Sequence, residues 1–213
     1  MKYNILNKIK NNKQFVLLFI CFAIFIYVLI NVLNGNVAKF DISIYSSIIS
    51  LKSNVATKIF RAITELGSAT ILIIIAVGSY IFINNKKIGC GIILNLAISA
   101  LLNVTIKEIV QRPRPPIEFR MVEETSFSFP SGHSMTSAAF YGLFIYFIFK
   151  NVKNKNIRNS ICIFLSILIF LIGTSRIYLG VHYASDVLAG FTIAIVYLIL
   201  YINFALKLLK KEN

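Results

Sequence analysis

Long apolar runs, parted by short polar breaks rich in lysine, constrain this chain more than any other feature. The first extends from Phe15 to Leu33, and comparable runs cover about residues 60–83, 88–107, 132–149, 159–177 and 183–206. Each approaches the ~20 residues that an α-helix needs to cross the hydrocarbon core of a bilayer. Within lipid a helix is favoured because it satisfies its own backbone N–H and C=O groups. The runs predict an all-α, polytopic membrane protein, a bundle of six transmembrane helices. Composition agrees, with 57% hydrophobic and only 14% charged residues, against about 25% charged in a soluble domain.

The first run is longer than the ~7–15-residue core of a signal peptide and no small-residue cleavage site follows it, so it reads as an uncleaved span. The expected organisation is one domain: a basic cytoplasmic tail at 1–14, a six-span membrane domain at 15–206, and a second cytoplasmic tail at 207–213. The net charge of +14 raises the question of nucleic acid. Basic residues that alternate with apolar spans form no single soluble face, which excludes nucleic acid as the expected partner. The bilayer explains them better, because lysines at cytoplasmic span ends fix orientation.

An even number of spans puts both termini on one side. That side collects Lys2, Lys8, Lys10 and Lys13 with Lys86, Lys87, Lys150, Lys153, Lys155, Arg158, Lys207, Lys210 and Lys211. It is therefore expected to be the cytoplasmic side of the cell membrane. The loops at 107–133 and 175–186 then face outward.

Smaller features follow. Residues 35–58 read equally as a segment lying in the interface or as a plain loop. Arg61 and Glu65 are four apart and could pair on one helix face. Pro113, Pro115 and Pro116 rule out helix through their stretch. Cys21, Cys90 and Cys162 fall in apolar runs, lack C-x-x-C spacing, and read as buried apolar residues.

Three polar stretches stand at the outer ends of spans. In Pro130-Ser131-Gly132-His133, Ser131 is a good N-cap and Gly132 lets a ligand approach the backbone. Free amides at a helix start attract an anion, and His133 would stand beside it. In Ser175-Arg176-(x5)-His182-(x3)-Asp186, His182 and Asp186 share one helical face. A carboxylate on one imidazole nitrogen leaves the other free to attack. Lys107, Arg114 and Arg176 supply cations for phosphate oxygens. Arg112 and Arg120 read as interfacial side chains whose charged ends reach for water.

Together, Lys107-(x6)-Arg114-Pro115 and the two stretches above resemble the type 2 phosphatidic acid phosphatase / vanadium haloperoxidase superfamily, in order and in spacing. The resemblance implies a six-helix membrane phosphatase with outward-facing motifs. It implies that His182 is a nucleophile forming a phosphohistidine, that Asp186 orients it, and that His133 is the general acid. Lys107, Arg114, Ser131, Gly132 and Arg176 would hold the phosphoryl oxygens. It implies no metal and no other cofactor, and the sequence shows no carboxylate cluster suited to Mg²⁺. One histidine neutral and one protonated gives a bell-shaped pH profile.

The expected substrate is a membrane lipid phosphate or pyrophosphate. Undecaprenyl pyrophosphate is the first expectation, with phosphatidylglycerophosphate next, then phosphatidic acid and diacylglycerol pyrophosphate. Other readings are a phosphotransferase built on the same phosphohistidine, and a non-catalytic lipid transporter or scaffold.

Overall fold

The computed structural model describes residues 2–206, with side chains from residue 13 onward; the 207–213 tail lies outside the described residues. Among the described residues eight α-helices follow one another: α1 Lys2–Leu33, α2 Ala38–Ile49, α3 Asn54–Glu65, α4 Ala69–Phe82, α5 Lys86–Val110, α6 Gly132–Asn151, α7 Lys155–Tyr178 and α8 Ala184–Asn203. A 3₁₀ turn at Ile117–Phe119 lies in the long α5–α6 connection. No strand occurs among the described residues.

Polar side chains mark most helix starts. Ser53, Ser68, Asn85, Ser131 and Asn154 each accept a hydrogen bond from an amide of the following turn. α5 stops where Gln111 takes a left-handed φ of 49° and the proline stretch begins.

α6 is the hub. It packs against α5, α7 and α8, while α1 lies along α8, α4 along α5 and α3 along α7. The core is built from Met135, Phe140 and Leu143 of α6, Ile172 of α7 and Ala189 of α8, none more than 1% exposed. One face of α5 is polar and buried: Asn95, Ser99, Asn103 and Lys107 recur every fourth residue toward α6. Asn95 donates to the Ala139 carbonyl at 3.0 Å and Asn103 to that of Pro130 at 3.2 Å, which offsets the cost of burying amides.

The six-span expectation is met in part. Among the described residues four helices are long and apolar enough to cross a membrane: residues 13–33 of α1, then α5, α7 and α8. α3 and α4 together make a fifth, bent by 44°. α6 has 20 residues but opens with Ser134, Thr136 and Ser137. Its neighbours are protein on most sides, so it need not be as apolar as a lipid-facing helix.

Other expectations shift. The span anticipated over 60–83 is broken at Leu66–Ser68. Residues 2–14, within the anticipated basic tail, are helical and run on into the first span. Residues 38–49 form a helix whose Ile44, Tyr45 and Ile48 pack on Ile177, Ala184 and Val187. Arg61 donates to the Met121 carbonyl at 2.8 Å instead of pairing with Glu65. Cys21 is buried, but Cys90 is exposed.

Candidate active site

The three motif stretches meet at one end of the bundle. The α7–α8 turn carries His182, and Gly180 makes that turn possible. Its φ is +69°, and a Cβ there would lie 1.9 Å from the Phe119 carbonyl oxygen. The α5–α6 connection thus lies directly on the turn, fixed by Met121 N–H donating to Leu179 O at 2.9 Å.

His182 is 3% exposed. Its Nε2 stands 3.1 Å from Arg114 Nη1. Arginine can only donate, so Nε2 carries the lone pair and Nδ1 the proton. Nδ1 faces Ser128 Oγ at 3.3 Å and Asp186 Oδ2 at 3.5 Å, and Ser128 donates onward to Asp186 Oδ2 at 2.5 Å. Asp186 also accepts from the Tyr183 amide at 2.9 Å and from Arg112 Nη1 at 2.5 Å. The carboxylate is saturated on both oxygens and fixes the tautomer that leaves Nε2 free. Burial holds the His182 imidazole at a pKa of about 3, with Asp186 pulling upward and Arg114 and Arg176 pushing further down. The ring is neutral.

Arg114 is braced by the Val181 carbonyl at 2.9 Å and by Ser126, whose carbonyl accepts from Nε at 2.6 Å. Burial lowers its pKa, against the pull of Glu124 and Asp186. Arg176 donates to Thr64 Oγ1 at 2.8 Å and to the Glu124 carboxylate. Glu124 is also 3.4 Å from Arg114, so one carboxylate straddles the two arginines. Lys107 donates to the carbonyls of Phe127 and Ser128.

At the start of α6 the amides of Gly132 and His133 have no hydrogen-bond partner among the described residues, and both residues line the cavity beside this charge cluster. A Cβ on Gly132 would approach Asn103 Oδ1 to 3.1 Å. The His133 side chain makes no hydrogen bond among the described residues and, with His182, lines the same cavity of ≈ 490 Å³. Lys107, Arg114, Glu124 and Gly132 line it too. From there the cavity runs between α4 and α5 past Ile73, Val77, Ile93 and Val104. Those four are exposed, so it opens sideways on the apolar surface.

Of the anticipated residues, His133, His182, Lys107, Arg114 and Gly132 share the cavity wall, and Asp186 stands directly behind His182. Arg176 reaches the cavity through Glu124. Ser131 is fully buried as the α6 cap: its Oγ accepts from Ser134 N–H at 3.4 Å, and its own amide donates to the Asp186 carbonyl at 3.0 Å. It positions the helix start and is not on the cavity wall.

Sequence reasoning missed Ser128 and Asp41 and misread Arg112. Arg112 does not reach for water. It bridges Asp186 to Asp41, which it meets at 2.8 Å. Burial works against its charge, yet Asp186 and Asp41 hold its pKa above the ordinary value. A signal existed. Arg112 and Arg114 both precede a proline, which favours an extended backbone, and alternate residues of an extended stretch share a face. Among the described residues no cluster of three or more His, Cys, Asp or Glu could hold a metal ion.

A neutral histidine with a free nitrogen, a second histidine on the same cavity and a group of cations could together receive a phosphate group in a membrane bundle. The chain belongs to the PAP2 superfamily, whose model matches residues 88–210, and it is a membrane lipid phosphatase. It is 34% identical over 160 residues to phosphatidylglycerophosphatase B of Bacillus subtilis (strain 168), covering 73% of this chain and 78% of that protein. It is 33% identical over 112 residues to lipid A 1-phosphatase of Rhizobium etli, covering 48% of this chain and 44% of that protein. The fold is similar to the crystal structure of a transmembrane PAP2 type phosphatidylglycerolphosphate phosphatase from Bacillus subtilis, with a TM-score of 0.79, 29% identity, and coverage of 92% and 98%. It is also similar to Aquifex aeolicus LpxE, with a TM-score of 0.62, 25% identity, and coverage of 76% and 94%.

Proposed function

We propose that the protein hydrolyses the phosphate monoester of a membrane glycerophospholipid, with phosphatidylglycerophosphate as the substrate, through a phosphohistidine on His182. The observation that carries this reading is the unprotonated Nε2 of His182, held beside Arg114 at the polar end of a cavity whose other end opens on apolar surface. The phosphate sits among the cations while the acyl chains stay in the bilayer.

The phosphate displaces the Glu124 carboxylate from Arg114 and Arg176. Those arginines, Lys107 and the Gly132 and His133 amides then hold its oxygens and stabilise the charge of transfer. Nε2 of His182 attacks phosphorus, and the bond from phosphorus to the lipid oxygen breaks. His133, which takes up a proton when the phosphate dianion sits beside it, gives that oxygen the proton, and the lipid alcohol leaves. His133, now neutral, takes a proton from water as the water attacks phosphorus. The N–P bond breaks and inorganic phosphate leaves. Asp186 stays ionised behind His182 throughout.

Phosphatidylglycerophosphate takes precedence over undecaprenyl pyrophosphate because the Bacillus subtilis sequence relative and the Bacillus subtilis solved structure are both named for it. Neither sequence relative's name mentions a polyprenyl pyrophosphate. An outward-facing site and a cytoplasmic side at the opposite end are supported by Lys86, Lys87, Lys150 and Lys155, which stand at the helix ends remote from the motifs. In this reading α6 crosses the membrane as a sixth span.

The test is phosphate release by purified protein in detergent from phosphatidylglycerophosphate, phosphatidic acid, diacylglycerol pyrophosphate and undecaprenyl pyrophosphate. Phosphatidylglycerophosphate should be cleaved fastest, and His182→Ala should be inactive. Faster cleavage of the polyprenyl substrate overturns the substrate assignment. Turnover by a well-folded His182→Ala protein overturns the nucleophile.

A further inference from the structure

Helix α2 brings a carboxylate to the back of the site. Asp41 lies in its first turn and is 4% exposed. A buried carboxylate costs several kcal/mol unless it is well paired. Asp41 accepts from the Ser185 amide at 2.8 Å, from Ser185 Oγ at 2.9 Å and from Arg112 Nη2 at 2.8 Å. The same guanidinium donates through Nη1 to Ser185 Oγ at 2.8 Å and to Asp186 Oδ1 at 2.5 Å. It lies 4.1 Å from the centre of the Tyr183 ring. Asp41 is thus joined through a single side chain to the carboxylate that orients His182. It also lies outside the stretch matched by the family model.

The charges suggest why. Arg112 paired with Asp186 alone would neutralise that carboxylate. A second carboxylate on the far side of the guanidinium leaves the Asp41–Arg112–Asp186 set with one net negative charge. When His182 Nε2 bonds to phosphorus the imidazole becomes cationic, its proton on Nδ1 facing this set. The residual negative charge then meets a positive one in a dry site, where such an interaction counts for most.

We propose that Asp41 is a positioning residue for the reaction: acting through Arg112, it fixes Asp186 and keeps it anionic opposite His182 as the nitrogen–phosphorus bond forms. This rests on the assignment of His182 as nucleophile. Asp41 touches neither the cavity wall that holds the phosphate nor the reacting atoms.

The experiment is steady-state kinetics of the purified full-length protein in detergent, with inhibition by inorganic phosphate measured alongside. Asp41→Asn should lower kcat on the order of 10–100-fold, the range found for outer partners that orient a reactive or metal-bound histidine. KM and the phosphate inhibition constant should stay within about twofold, because the cations that hold phosphate are not disturbed. An unchanged kcat overturns the proposal. So does a variant in which kcat, KM and phosphate inhibition all deteriorate together, the pattern of a merely structural contact.

If Asp41→Asn does not yield a monodisperse protein, Ser185→Ala takes its place. It removes one donor to Asp41 and one acceptor from Arg112 and leaves every charge in place. A fall in kcat of roughly 3–10-fold at constant KM is expected, and wild-type kcat overturns the proposal. His182→Ala, run in parallel, separates the two levels. If it is inactive while Asp41→Asn turns over at full speed, only the role of Asp41 fails. If it is active, the nucleophile assignment beneath it fails.

Discussion

At the scale of single residues, His182 combines near-complete burial with neutrality. Its pKa is held at about 3, mainly by burial, with Asp186 opposing and Arg114 and Arg176 adding to the depression. An unfolded histidine titrates near ~6.5. Between those values the unfolded chain binds a proton that the folded chain excludes, so stability must rise with pH across the interval. The contribution is fully present above about pH 6.5 and is lost as the pH falls toward about 3. Thermal unfolding in detergent should therefore show a steeper loss of Tm between about pH 7 and about pH 4 for the wild type than for His182→Asn. Equal slopes would remove the argument for a buried neutral ring. The two histidines, Asp186 and three of the cations were legible in the sequence because charged groups at span ends need a reason. Glu124 was visible only as one of several acids in a loop. Ser128 resembles every other serine, and Asp41 joins the site through tertiary packing alone.

Among the elements, the break between α3 and α4 was lost in the average hydropathy of a long run, although Glu65, Gly67 and the capping Ser68 interrupt that run at this point. Hydropathy registers how apolar a stretch is, not whether its axis bends. The break has a use. It leaves Gly67 against α6 and α7, where a Cβ would lie 2.6 Å from Ile172 Cγ2 and 3.3 Å from His133 Cδ2. Gly67→Ala must displace one or both side chains. Overpacking of this kind costs about 1–3 kcal/mol, and an imidazole moved by a fraction of an ångström donates its proton less well. A lower Tm is expected, with kcat reduced about tenfold and KM little changed. Full kcat in this variant would mean that His133 needs no fixed seat. α6 shows the converse limit. Its serines and threonine make it look less like a span, and the bundle around it accounts for them.

At the scale of the whole molecule, charge and apolar surface are segregated. The histidines, the arginines and Lys107 of the candidate site gather at one end, Lys86, Lys87, Lys150 and Lys155 stand at the other, and the cavity leaves by the side, past Ile73, Val77, Ile93 and Val104. That side opening changes the dimensionality of the search for substrate. A lipid arriving through it travels within the leaflet, and the quantity the enzyme senses is crowding in the plane, not molarity in the tube. In mixed micelles or vesicles, adding inert lipid at fixed total substrate should slow turnover in proportion to the falling mole fraction. A rate that followed bulk concentration alone would mean that substrates descend from the water instead.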